Sequence, residues 1–279
     1  MFKKYMTIAM ALLAVQSFAQ DLPRPSQKAE VEQMVGLTEI EVSYSRPNVK
    51  GRVIWGNLVP YDKVWRTGAN EATSIEFSSD VKVNGTEVPA GKYGLFTIPG
   101  KEEWTVILNK NWEVWGTGDY KEEEDQLRFK VKPSATKATE SFTIGISNVK
   151  DDKCSIDISW DELMVSFEVD ANSREQAIAN IDKEIKSLEN PFRVYNSSAR
   201  YYVDNGIELE KALEYATKSV EYEARFWNVY TLSLAQAANG NYKEAMETAE
   251  RSKKLAEEAE YPPYIKMNDD NIAKWSAVK

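Results

Sequence analysis

The spacing of apolar residues changes once along the chain, near residue 170, and this change limits the fold more than any other feature of the sequence. Before it, apolar and polar residues alternate, as at Ile40, Val42 and Tyr44, which is typical of half-buried β-strands. Tight-turn signals, such as the Asn-Gly pair at residue 84, separate these short segments. Because no helical pattern interrupts them, the sequence predicts an antiparallel β-sandwich or barrel-like domain over residues 25–170, not a parallel α/β sheet.

The last part of this region predicts a hairpin. Apolar residues alternate from Ile156 to Trp160 and again from Val165 to Val169, with Asp161 and Glu162 between the two runs. We therefore expect two short strands that face each other across a turn at these acidic residues.

After residue 170 the apolar period becomes 3.6, which predicts helices over residues 172–279. Ser173 and Gln176 form a capping box at the start of the first helix. Ile178, Ile181 and Ile185 then fall on one face of that helix. The predicted fold class is therefore α+β, with the β part and the α part segregated along the chain.

Residues 195–260 contain two similar segments that resemble tetratricopeptide repeats. Their Asn-Gly pairs, at residues 205 and 239, lie 34 residues apart, which is the tetratricopeptide period. The second segment matches better, through Gly240, Tyr242 and Ala245, whereas the first lacks the aromatic residue. The resemblance implies helix–turn–helix units, but two units are fewer than an independent array needs. They are expected to pack on other parts of the chain or to dock a protein partner.

The N-terminus has the pattern of a secretory signal peptide over residues 1–19. Lys3 and Lys4 precede a short apolar run, and small residues Ser17 and Ala19 suit cleavage before Gln20. The alternative is an uncleaved anchor, but the apolar run is shorter than the roughly 20 residues of a membrane span. The sequence predicts an exported protein, periplasmic or secreted, with no transmembrane segment after cleavage.

Composition excludes several kinds of chemistry. The 279 residues include 35 Lys and Arg against 44 Asp and Glu, no histidine and one cysteine. Ser-His-Asp catalysis, histidine-bound zinc and disulfide frameworks are therefore excluded. We expect no cofactor and no metal site, and the net charge of −9 argues against a nucleic-acid partner. Cys154 lies in an alternating segment and is interpreted as a buried strand residue.

The densest group of polar and aromatic residues lies between residues 44 and 73. Four cations in this segment, Arg46, Lys50, Arg52 and Arg66, reverse the overall acidity of the chain. Glycines, prolines and tryptophans interrupt the alternating pattern, which predicts a long loop held on the β domain.

The same segment carries a resemblance to a known family. The run from Tyr44 to Thr73, then Pro89–Tyr93 and Trp104–Val106, resembles the bacterial family called domain of unknown function 2911. The resemblance covers about residues 25–170. It implies an exported bacterial β domain and no particular activity.

Three interpretations of this loop remain open. As a binding site, it would offer guanidinium groups to an anionic ligand and aromatic rings to a sugar. As a hydrolase acting on glycans without histidine, it would use Glu71 beside Arg66 as acid or base. As a structural element, it would bury an Arg66–Glu71 ion pair. The candidate binding residues are Arg46, Lys50, Arg52, Trp55, Tyr61, Trp65, Arg66, Asn70 and Glu71.

We expect a non-catalytic ligand-binding or interaction protein whose site is this loop. A further class of function is a scaffold that binds protein partners through the C-terminal helices.

Trp112 and Trp115 fit either an aromatic platform for a sugar or the protein core, and the number of tryptophans favours the core.

Overall fold

A computed structural model describes residues 23–188 and 191–278, so the predicted signal peptide lies outside the described residues. The described chain forms two compact units that divide between Asn172 and Ser173. The first contains strands and the second contains helices, as the change of period predicts. The strands are β1 Gln27–Val35, β2 Thr38–Arg46, β3 Ser74–Phe77, β4 Val81–Val83, β5 Thr86–Val88, β6 Gly91–Ile98, β7 Trp104–Asn109, β8 Asp125–Val131, β9 Ser134–Lys150 and β10 Lys153–Asp170.

The strands form two antiparallel sheets. The larger sheet has the order β1-β2-β3-β6-β7-β8 and the smaller has the order β5-β4-β10-β9. One core contains Ile40 and Leu95 from the larger sheet together with Ile144 and Ile158 from the smaller sheet. The predicted β-sandwich is therefore confirmed. Its inward residues are the apolar members of each alternating run, because successive side chains of a strand point to opposite faces.

The predicted hairpin at Asp161 is wrong. β10 is a single strand from Lys153 to Asp170, and its register against β9 shifts on both sides of Asp161. Asp161 has a φ of +54°, so the residue that looked like a turn lies at an irregularity within one strand. Such a bulge bends a strand without ending it, which is why the apolar alternation continues beyond it.

The helical unit contains six helices within the described residues. They are α1 Ser173–Ser187, α2 Phe192–Asp204, α3 Leu209–Tyr222, α4 Phe226–Ala238, α5 Tyr242–Glu258 and α6 Pro262–Ser276. Small buried residues, such as Ala212 and Ala216 in α3 and Ala245 and Ala249 in α5, allow close packing of neighbouring helices. None of the helices among the described residues is long and apolar enough to cross a membrane.

One contact recurs in the helical unit at nearly constant spacing. The hydroxyl of Ser219 in α3 donates to the carbonyl of Phe192 at the start of α2, at 2.7 Å. The hydroxyl of Ser252 in α5 donates to the carbonyl of Phe226 at the start of α4, at 2.8 Å. Pairs α2–α3 and α4–α5 thus share this contact.

Candidate functional site

The loop that carries the predicted site residues connects β2 to β3 and is hydrogen-bonded to β6, an interior strand of the larger sheet. Trp65 exchanges two backbone hydrogen bonds with Thr97 of β6, at 2.7 and 2.9 Å. The buried hydroxyl of Thr73 donates to the carbonyl of Thr67 at 2.6 Å, which closes the loop before β3 begins. The segment is irregular but held at several points, so its side chains keep defined positions.

Gly68 is required where this loop passes close to Ser45 of β2. Its φ is +154°, and a Cβ at this position would lie 3.0 Å from the carbonyl oxygen of Ser45. Only glycine adopts such a backbone conformation without strain. The glycine therefore sets the path of the chain between Arg66 and Asn70.

Two of the predicted aromatic residues lie in the core. The Trp55 ring packs 4.8 Å from Trp104, and the Trp65 ring stacks 6.0 Å from Trp160, measured between ring centroids. The indole N–H of Trp65 donates to the carbonyl of Gly68 at 3.0 Å. These rings stabilise the loop, and the faces they use for packing are not available to a sugar.

Arg46 and Asn70 join the loop and its flanking strand to their neighbours. Arg46 donates from Nε to the carbonyl of Phe142 at 3.0 Å and from Nη2 to the hydroxyl of Thr143 at 2.8 Å. The amide of Asn70 donates to the carbonyl of Ser26 at 3.0 Å and to the hydroxyl of Ser45 at 3.2 Å. Both side chains donate hydrogen bonds to other parts of the protein, so their role in this structure is a stabilising one.

The structural interpretation predicted an ion pair between Arg66 and Glu71, and this pair does not form. Glu71 pairs instead with Arg24, whose Nη1 lies 2.6 Å from Oε1. This hydrogen bond from Arg24 holds the pKa of Glu71 below its usual value. Glu71 and Arg24 line a cleft of about 630 Å³ on the larger sheet, and Arg66 does not line it.

Three of the predicted cations come together in a separate pocket of about 270 Å³. Lys50, Arg52 and Arg66 line it, with Trp65 and Trp160 among its other walls. Its lining, as far as the described residues show, includes no carboxylate. We refer to it as the cation pocket. Tyr61 lies outside it, with its ring against Gly56.

The cations of this pocket differ in how their donors are used. Arg52 donates from Nε to the carbonyl of Val49 at 3.0 Å, and its Nη2 donates to the carbonyl of Asn48. The Nε of Arg66 is buried and has no hydrogen-bond partner in the described part of the chain. Burial also lowers the pKa of Arg66. A buried donor without a partner is costly, so an acceptor that reached it would stabilise this part of the protein.

Comparison with protein families places these residues in a known domain. The profile of the family described as "Protein of unknown function (DUF2911)" matches residues 26–169, which is more than half of the chain. The chain belongs to the DUF2911 family. The match extends over β1 to nearly the end of β10, so the cation pocket lies almost entirely within the DUF2911 domain. Comparisons with curated proteins and with solved structures found no match.

No group of three or more Cys, Asp or Glu side chains among residues 23–188 and 191–278 could hold a metal ion. Cys154 is buried, and burial raises the pKa of its thiol to about 11. The thiol therefore stays protonated near neutral pH and is a poor nucleophile.

Sequence reasoning missed the other residues of the 630 Å³ cleft in the DUF2911 domain. Trp112 and Trp115, which we expected in the core, are 37% and 64% exposed. Both line the cleft, as do Arg24 and Lys92. The available signal was their position in a loop between β7 and β8 that also contains Gly116 and Gly118. We assigned both residues to the core in spite of this signal, because the chain has eight tryptophans and tryptophan is buried in most proteins.

Proposed function

We propose that the DUF2911 domain of this chain is a non-catalytic binding module that takes a small anion in the cation pocket. The ligand class is a phosphate, a sulfate or a compact carboxylate. The observation that carries this proposal is that Lys50, Arg52 and Arg66 line one pocket without a carboxylate, and the buried Nε of Arg66 has no partner among the described residues. Guanidinium groups bind such oxyanions through paired N–H donors.

A purely structural role explains Arg46 better than Arg66. Arg46 satisfies its donors on β9, as a stabilising side chain does. The Nε of Arg66, in contrast, is buried and has no hydrogen-bond partner among the described residues. Selection for stability alone would favour an apolar side chain of similar size at this position, because it leaves no donor unsatisfied.

The glycan-hydrolase alternative depends on Glu71, whose surroundings do not suit a general acid. A general acid needs a raised pKa so that it holds its proton near neutral pH, whereas Arg24 lowers the pKa of Glu71. Glu71 is also about half exposed. Turnover that is lost in Glu71→Gln would revive this alternative.

The test of anion binding is calorimetric titration of the full chain with phosphate, sulfate and citrate. Arg66→Gln should weaken binding at least about tenfold, because a charge-assisted hydrogen bond contributes about 1.5–3 kcal/mol. The matched control is Lys63→Gln, which removes an equal charge from an exposed position of the same loop that lines neither cavity. Equal affinities for wild type and Arg66→Gln, or no binding at all, would contradict the proposal.

We also propose that the chain is exported, with residues 1–19 removed as a signal peptide. What supports this is the sequence pattern, with two lysines, a short apolar run and small residues at the cleavage position. The intact mass of the protein recovered from its natural host should then correspond to a chain that begins at Gln20.

For the helical unit we propose tetratricopeptide-like hairpins that dock a protein partner. The recurring serine-to-carbonyl contact in α2–α3 and α4–α5 supports the repeat, at about the tetratricopeptide period. Removal of residues 195–279 should then abolish recovery of that partner and leave anion binding unchanged. Loss of anion binding on truncation would argue against this division of roles.

A further inference from the structure

The larger cleft has a different chemistry from the cation pocket. It lies on the outer side of the larger sheet, and its volume of about 630 Å³ is within the roughly 300–1,000 Å³ of small-molecule sites. Three serines line it, Ser43 and Ser45 on β2 and Ser74 on β3. Ser43 and Ser74 are paired across these strands, so serines of both strands meet in the lining of the cleft.

One wall of the cleft is the loop after β7, which is anchored on the sheet. The backbone N–H of Ala72 donates to the carbonyl of Val114 at 3.0 Å. The Val114 side chain is buried in a cluster with Phe96 and Ile107. Gly94 of β6 lets this loop approach, because a Cβ there would lie 2.9 Å from the carbonyl oxygen of Asn111. The exposure of the tryptophans is therefore a property of a fixed loop.

Charged side chains orient the two exposed rings. The ammonium of Lys92 lies 4.9 Å from the ring centroid of Trp112, and the guanidinium carbon of Arg24 lies 5.9 Å from that of Trp115. Such cation–π contacts favour one ring orientation. Both cations are also paired with carboxylates, Arg24 with Glu71 at 2.6 Å and Lys92 with Glu76 at 3.2 Å.

These pairs decide the class of ligand. Three cations line the cleft, Arg24, Lys28 and Lys92, together with two carboxylates, Glu71 and Glu113. Because the charges of both signs nearly balance and two of the cations are paired, the cleft offers less to an anion than the cation pocket does, while its charged groups and serines supply both donors and acceptors. A ligand that matches has an apolar face for the indole rings and a rim of hydroxyl groups. Pyranose sugars combine these two features. We propose that the cleft lined by Trp112 and Trp115 binds a short neutral saccharide.

This proposal stands apart from anion binding, because none of the cation-pocket arginines lines the cleft. The ligands differ in charge, and the two sites can be removed one at a time. A variant that loses one activity should therefore keep the other.

The test is calorimetric titration of the full chain with neutral trisaccharides built from glucose, galactose, mannose, xylose or N-acetylglucosamine. At least one should bind wild type, and Trp115→Ala should weaken it about tenfold or more, as for an aromatic anchor. Trp115→Phe should restore most of the affinity, since it returns an aromatic face. Thermal unfolding should be unchanged in both variants, because Trp115 is largely exposed.

Two controls make the result specific. Tyr222→Ala removes an exposed aromatic ring from the helical unit and should bind as wild type does. Arg66→Gln should keep saccharide binding even where it loses phosphate binding. The proposal is overturned if wild type binds none of the trisaccharides, or if Trp115→Ala binds them as tightly as wild type.

Discussion

At the scale of single residues, similar arginines in one segment of this chain have opposite surroundings. Arg46 places its donors on a neighbouring strand, whereas the Nε of Arg66 is buried without a partner among the described residues. The sequence shows both as cations in one loop. The sequence alone could not distinguish them, because the partners of Arg46 lie on β9, 96 and 97 residues further along the chain.

Glycine at position 68 gives a prediction at this scale. Gly68→Ala should lower the free energy of unfolding by about 1–3 kcal/mol, because alanine is strained at a φ of +154° and its Cβ crowds Ser45. Chemical denaturation measures this loss. Gly118→Ala is the matched control, since this glycine is exposed and a Cβ there meets nothing within 4 Å, and it should change stability by less than about 0.5 kcal/mol. Equal effects of the two substitutions would refute the assignment.

At the scale of elements, the periodicity of apolar residues predicted the type of secondary structure but not the order of strands in the sheets. The alternating segments form strands, and the segments with the 3.6-residue period form α1 to α6. The order β5-β4-β10-β9 could not be predicted, because it joins strands far apart in the chain through nonlocal hydrogen bonds. The error at Asp161 has a local cause. Aspartate adopts the left-handed backbone conformation more readily than most residues, and this conformation occurs in β-bulges as well as in turns.

The repeated helix hairpins give a prediction at the scale of elements. Ser219→Ala and Ser252→Ala should each destabilise the protein by about 1–3 kcal/mol, because each removes a buried hydroxyl that donates to a carbonyl of the preceding helix and accepts from a buried asparagine amide. Denaturation monitored by circular dichroism measures both losses. Ser197→Ala is the control, since this exposed serine bonds only within its own helix, and its effect should be small. A large effect in one hairpin and none in the other would contradict an equivalent repeat.

At the scale of the whole molecule, an acidic chain contains a pocket lined by cations. The net charge of −9 repels anions at long range, while Lys50, Arg52 and Arg66 attract them locally. The concentration of these cations was visible in the sequence. Their meeting in one pocket, apart from Glu71, was not, because it depends on how the loop folds against the sheets.

The balance between local attraction and overall repulsion predicts the salt dependence of phosphate binding. Raising ionic strength from about 0.01 M to 0.15 M shortens the Debye length from about 30 Å to 8 Å. This screens the distant acidic groups more strongly than the contacts inside the pocket. Affinity for phosphate should therefore fall only slightly, or rise, with added sodium chloride. A steep fall in calorimetric titrations would instead indicate weak surface attraction.

The central claim is that Arg66 donates to a bound anion, and its Nε–H resonance reports this directly. Nitrogen-15 spectra of the full chain, assigned with Arg66→Gln, would follow this signal as phosphate is added. We predict a saturable shift of the Arg66 signal and little change at Arg46, whose Nε–H already donates to Phe142. An Arg66 signal that stays in place, or that drifts linearly together with those of the other arginines, would contradict the account.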